Sequence, residues 1–133
     1  MSSEPPRAGS SDAGPVSLDA AALGRLRELD PDGRHGVLPR IFAAFETSLM
    51  RMLVQLDAER ELGSASVVST VAHTLKSSSA SVGALALSRA CADVERRLRA
   101  GEPGEPGDLD ADVERLMNES EAALLAVRAM LRP

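Results

Sequence analysis

His73 and Lys76 stand three residues apart in the run His73-Thr74-Leu75-Lys76-Ser77-Ser78-Ser79-Ala80. Lys76 is the only lysine among fifteen basic residues, the other fourteen being arginine. An imidazole is a nucleophile near neutral pH, and an ammonium is a compact, mobile point charge. Together they suit a site that handles a transferable anion such as a phosphoryl group. H-x-x-K is a common spacing, so the surroundings must carry the reading. Other chemistries find less support. Ser77, Ser78 and Ser79 have no histidine at the spacing of a serine hydrolase, and two histidines with one cysteine make no metal-ligand pattern. Gly101 to Gly107 lacks the Lys-Ser/Thr ending of a phosphate-binding loop.

The elements that must position these residues read as helices throughout. Residues 1–16 are rich in Ser, Pro, Gly and Ala and are expected to form a disordered tail, with a single domain over 17–133. Ser17 is placed to cap a short first helix carrying Leu18, Ala22, Leu26 and Leu29, ending at Asp30-Pro31-Asp32-Gly33. A second helix has Pro39 in its first turn and apolar residues at Leu38, Ile41, Phe42, Phe45, Leu49, Met52 and Leu56. Gly63-Ser64 opens a third, whose Val68, Val71, Leu75, Ser78 and Val82 recur at spacings of three and four until Gly83. A fourth buries Leu87, Cys91, Val94 and Leu98. After a Gly/Pro loop over 101–107, the last helix carries Leu109, Val113, Leu116, Ser120, Leu124, Val127 and Leu131. No segment alternates with period two. The fold expected is all-α, an antiparallel four-helix bundle with a short additional N-terminal helix.

On the third helix, at about 100° per residue, the Val68–Val71–Leu75–Val82 stripe faces the core and His73 falls roughly opposite, towards solvent. Its outer-face neighbours are Ser66, Ser69, Thr70, Ser77 and Ala80, with Lys76 to one side. All but the lysine are small and uncharged. A typical exposed face carries Glu, Lys, Arg or Gln, as the fourth helix does with Asp93, Glu95, Arg96, Arg97 and Arg99. The bare face leaves the imidazole accessible and lets a partner approach the backbone closely.

Blander readings hold elsewhere. His35, in the Gly33-Arg34-His35-Gly36 loop, reads as solvated. Cys91 lies on an apolar stripe and reads as a small buried hydrophobe. Asp93/Arg97 and Glu95/Arg99 read as i,i+4 pairs on a solvated face, worth a few tenths of a kcal/mol each.

Composition narrows the partners. A net charge of −5 argues against nucleic acid and anionic membranes. No apolar run approaches the roughly 18 residues of a membrane span, and the N-terminus lacks a signal-peptide core. One cysteine forms no intramolecular disulfide, so a reducing, cytoplasmic setting is expected. Apolar content is 44%, but Phe42 and Phe45 are the only aromatics. The core must then be Leu, Val, Ala and Met, the mix of a bundle rather than a sheet.

His73-Thr74-Leu75-Lys76-Ser77-Ser78-Ser79, then Gly83-Ala84, then Leu87 with Cys91 and Glu95, resembles the histidine-containing phosphotransfer (HPt) domain. Its usual pattern is H-x-L-K-G-S-S, then G-A, L-x-x-x-C and a Glu. The likeness runs from about Leu38 to Leu131, with one departure: Ser77 stands where the family commonly has glycine, which slightly crowds the site. The resemblance implies that His73 exchanges a phosphoryl group with the aspartate of a response-regulator receiver domain, in a relay that includes a hybrid histidine kinase. Lys76 would offset charge on the phosphoryl oxygens. Ser66, Ser69, Thr70, Ser77 and Ala80 would form the docking face. It also implies that Mg²⁺ belongs to the receiver, that this chain needs no cofactor and makes no phosphate from ATP, and that it acts as a monomer. Two alternatives are a receiver-binding scaffold whose histidine is never phosphorylated, and the phosphoacceptor helix pair of a histidine kinase. The latter usually has an acidic residue directly after the histidine, where this chain has Thr74.

Overall fold

The computed structural model describes residues 18–100 and 108–132. The expected tail over 1–16, the cap at Ser17 and the loop over 101–107 lie outside them. The first three helices begin where a side chain accepts hydrogen bonds from amides that a first turn leaves open. α1 (Ala20–Arg27) is capped by Asp19, whose carboxylate accepts from the Ala22 amide at 3.0 Å. α2 (Val37–Leu62) follows the Gly36 turn and carries Pro39 in its first turn, where no amide hydrogen is needed. Asp30, read from the sequence as a helix stop, is buried and accepts from the His35 amide at 3.0 Å and the Val37 amide at 3.2 Å. α3 (Ala65–Val82) is capped by Ser64, and the buried Glu59 reaches from the end of α2 to accept from the Ser64 amide at 2.7 Å. α4 (Leu85–Arg99) and α5 (Asp108–Leu131) complete the set, and no strand occurs among the described residues.

α2 to α5 form an antiparallel bundle in which α3 pairs with α4 and α2 with α5, and α1 lies against α3. The fold is the one expected. Phe42, Leu49, Leu56, Val68, Val71, Leu75, Leu87, Cys91, Val94, Leu116 and Val127 are fully or almost fully buried. At roughly 25 cal/mol per Å² of apolar surface removed from water, this core is the main term holding the helices together.

Two stripe assignments are corrected. Leu29 is 62% exposed, because α1 ends at Arg27 and the chain turns before Leu29 can reach the core. On α3 it is Ser79, not Ser78, that is buried. α4 packs over the side of α3 that carries Ala72, Lys76 and Ser79, and Ser78 is left at the margin with its hydroxyl donating to the Leu75 carbonyl at 3.3 Å.

Gly83 ends α3 with φ +86°. Its carbonyl accepts from the Asp19 amide at 2.9 Å, which ties the start of α1 to the end of α3. A Cβ at Gly83 would lie 2.7 Å from the Asp19 nitrogen, a backbone atom that cannot swing away. Gly33 also has positive φ, at +73°, but has open space around it. Gly33→Ala should therefore lose only the left-handed strain, about 1–2 kcal/mol. Gly83→Ala should lose more and release α1 from the bundle. Urea unfolding of both variants checks this, and equal losses would show that the Asp19 contact contributes nothing.

Candidate functional site

α3 and α4 run antiparallel, and their register is fixed by polar contacts. The Ser88 hydroxyl donates to the Lys76 carbonyl at 2.9 Å, and Glu95, seven residues further along α4, stands opposite His73. His73 projects outward with its side chain 70% exposed, as the helical arithmetic requires. Of the predicted docking residues, Ser66, Thr70 and Ser77 are exposed, and Ser69 and Ala80 are half-buried. The Thr70 hydroxyl turns back to the Ser66 carbonyl at 3.0 Å, and the Ser81 hydroxyl to the Ser77 carbonyl at 3.1 Å. These hydroxyls lie against their own helix, so the face around the imidazole is low as well as uncharged.

Glu95 is the functional residue that the helical reading of the sequence misplaced. It is 4% exposed, not solvated. One carboxylate oxygen, Oε1, accepts from Lys76 Nζ at 2.7 Å; the other, Oε2, lies 2.7 Å from His73 Nδ1 and also accepts from Arg99. Hydrogen bonding from Lys76 and then from His73, with the charges of Lys76 and Arg99, outweighs desolvation and holds its carboxyl at about 2. Glu95 is therefore ionised near pH 7 and can only accept hydrogen bonds. Nδ1 of His73 must then carry a hydrogen, and in the neutral ring it is Nε2 that holds the lone pair. Among the described residues no hydrogen bond reaches Nε2.

The second expected surface pair also differs. Asp93 pairs with Arg96 at 2.8 Å and with Arg115 of α5 at 3.1 Å, while Arg97 pairs with the buried Asp112 of α5. The packing of α5 on α4 offers partners that an isolated helix lacks. Cys91 is fully buried, and its thiol is pushed up to about 12 by burial and then by Glu95, so it is inert as expected. His35 is exposed in its loop, with its amide committed to Asp30. No helix of the described residues is long and apolar enough to cross a membrane, and no group of His, Cys, Asp and Glu among them could hold a metal ion.

The site is thus an exposed imidazole whose Nδ1 is held by a buried carboxylate, on a bundle face stripped of large side chains. Residues 40–130 match the Hpt domain family model. The chain belongs to the Hpt domain family. Histidine phosphotransfer within a phosphorelay is accordingly its function, and response-regulator receiver domains and their kinases are the partners of such domains. The bundle is similar to the crystal structure of histidine-containing phosphotransfer protein B from Pseudomonas aeruginosa PAO1. The two agree with a TM-score of 0.70 at 23% identity, over 89% of this chain and 96% of that one. None of the curated proteins matches this chain.

Removing the charge of Glu95 should have a pH signature. Its carboxyl is depressed from 4.5 to about 2, so the stability it lends is fully present above about pH 4.5 and lost as pH falls towards 2. Glu95→Gln should unfold at lower urea concentration than the wild type at pH 7, and the gap should close by about pH 2. A gap unchanged across that range would mean that the charge of Glu95 does not hold the site together.

Proposed function

We propose that His73 is the phosphoacceptor and that Nε2 is the reacting atom. The observation that carries this is the contact between Nδ1 and Glu95. It fixes the tautomer, and the exposed ring presents Nε2 outward. The Nε2 lone pair attacks the phosphorus of a receiver's aspartyl phosphate. An N–P bond forms as the P–O bond breaks, and the electron pair leaves with the aspartate carboxylate. No proton need leave the ring, because Nδ1 keeps its hydrogen and donates it to the Glu95 carboxylate, and the positive charge that the phosphorylated ring acquires faces that carboxylate. The reverse step returns the group by the same path.

Lys76 has three N–H donors, and Glu95 Oε1 takes one. The others are available to the phosphoryl oxygens, whose charge Lys76 offsets as the group is transferred. Ser66, Ser69, Thr70, Ser77 and Ala80 are the surface on which the receiver rests. Ser77, in place of the glycine common in the family, adds a hydroxymethyl group to that face one turn beyond His73. The chain acts as a relay without ATP-dependent kinase activity of its own, and the Mg²⁺ of the reaction belongs to the receiver. A scaffold that binds receivers through the same face without being phosphorylated is the competing reading. The held tautomer favours the relay, since docking alone has no use for it.

His73→Gln should keep its helical circular dichroism, because the side chain faces solvent, and should take up no label from a phosphorylated receiver. ATP alone should label neither protein. Acid-labile, base-stable label on His73→Gln would overturn the assignment, since phosphohistidine has that lability and only His35 would remain.

Lys76→Ala should slow transfer by more than it weakens receiver binding, since a contact that strengthens as charge moves acts on the barrier. Single-turnover transfer and a binding isotherm separate the two. Equal effects on both would make Lys76 a docking contact only.

A further inference from the structure

Glu95 has two oxygens and three cationic or potentially cationic partners. Lys76 has Oε1 to itself, whereas His73 Nδ1 and Arg99 meet on Oε2. Arg99 lies in the last turn of α4, where a cation is favoured by the helix dipole. The antiparallel register that sets Glu95 opposite His73 brings Arg99 abreast of Ser69, at the edge of the docking face. Its side chain is 68% exposed, so it is not there to fill the core. The chain already satisfies Glu95 with Lys76 and His73, and a third partner on the histidine's own oxygen calls for a separate account.

We propose that Arg99 is a positioning residue for the phosphoacceptor, sharing Oε2 with the Nδ1–H of His73 so that Glu95 orients the imidazole without drawing a second proton onto it. This rests on the reading of His73 as acceptor. A carboxylate facing an imidazole favours the imidazolium, which has no lone pair on Nε2 and cannot attack phosphorus. A guanidinium on the same oxygen cannot lose its proton and opposes that effect in two ways. It draws on the charge of Oε2, and it places a positive charge near the ring. Holding the ring in register and keeping it nucleophilic are conflicting demands on one carboxylate, and Arg99 reconciles them.

The other charges nearby leave this role to Arg99. From α3 the ring faces Lys76, already committed to Oε1. From α4 it faces Glu95 and Arg99, while Asp93, Arg96 and Arg97 are engaged with one another or with Arg115 and Asp112 of α5. Cys91, a turn before Glu95, is buried and neutral. Among the described residues no ion pair joins α1, α2 or α5 to His73.

The test uses the full chain with Arg99→Ala and Arg99→Lys. Ring titration of His73 is followed by NMR in the unphosphorylated protein, its signal assigned by its loss in His73→Gln. Transfer from a phosphorylated receiver is timed across the same pH range. Arg99→Ala should move the His73 midpoint up by about half a pH unit or more, which leaves roughly threefold less neutral imidazole below it. Transfer should fall by that factor near pH 6 and the deficit should narrow above pH 8. Arg99→Lys, which keeps a cation at the oxygen, should restore most of the midpoint. A loss of packing alone would not move the midpoint and would not be rescued by lysine. Coincident titration curves for Arg99→Ala and the wild type would overturn the proposal and leave the acceptor assignment standing. Label on His73→Gln would overturn both.

Discussion

An ionised carboxylate that is 4% exposed must be compensated, and the helix pair around Glu95 is arranged to do so. Lys76 comes from one turn of α3, His73 from the turn before it and Arg99 from the next turn of α4. The contacts of Lys76 and His73 cross between the helices and restrict the relative rotation of α3 and α4, because sliding or turning either helix would leave the charge with Arg99 alone. The geometry of the imidazole follows from that restriction. An exposed histidine on a lone helix samples several rotamers and both neutral tautomers, whereas here one oxygen at 2.7 Å selects one of each.

A buried carboxylate as acceptor recurs, over spans of five to seven residues, where the site needs its supports. Glu59 accepts from the Ser64 amide and sets the start of α3, nine residues before His73. Asp30 accepts from the amides of His35 and Val37 and sets the start of α2. Each satisfies amides that a helix start leaves open, and each is favoured by the positive end of that helix. At the other end of α3, Gly83 accepts the Asp19 amide and docks α1. The helix that carries His73 is thus fastened at both ends and along one side, and only its outer face is left free.

Much of this was legible in the chain. The bare face, the outward His73 and the lone Lys76 follow from helical periodicity and side-chain size, which are local properties, and the structure places them as expected. What a single helix cannot disclose is which neighbour covers its flanks. Glu95 and Arg99 are spaced four apart among charged residues, so the periodicity of α4 reads both as solvated; the pairing is real, but α3 covers the carboxylate. The motif resemblance did include Glu95, yet gave no reason for it. Ser79 rather than Ser78 is buried for the same cause, a shift of one position towards the side that α4 covers. Asp93 and Arg97 found partners on α5 instead of each other. Asp30, read as a turn residue, was missed as a buried acceptor, because its bonds run to amides five and seven residues away.

A relay must take a phosphoryl group and give it back, so neither form of the histidine should be trapped. On the reading of His73 as acceptor, the Glu95 carboxylate is present before and after transfer. It accepts Nδ1–H from the neutral ring and faces the positive charge of the phosphorylated one, so its attraction grows as the N–P bond forms. Unopposed, that growth would over-stabilise the phosphorylated ring and would also favour the protonated, unreactive one. The cations on Glu95 moderate both. On the same reading Lys76 and Arg99 reduce the field at the ring, and Lys76 would also offset charge on the phosphoryl oxygens. One carboxylate with counter-charges on either side thus keeps the two forms close in free energy, whereas a stronger anion alone would hold the ring better and release its cargo less readily.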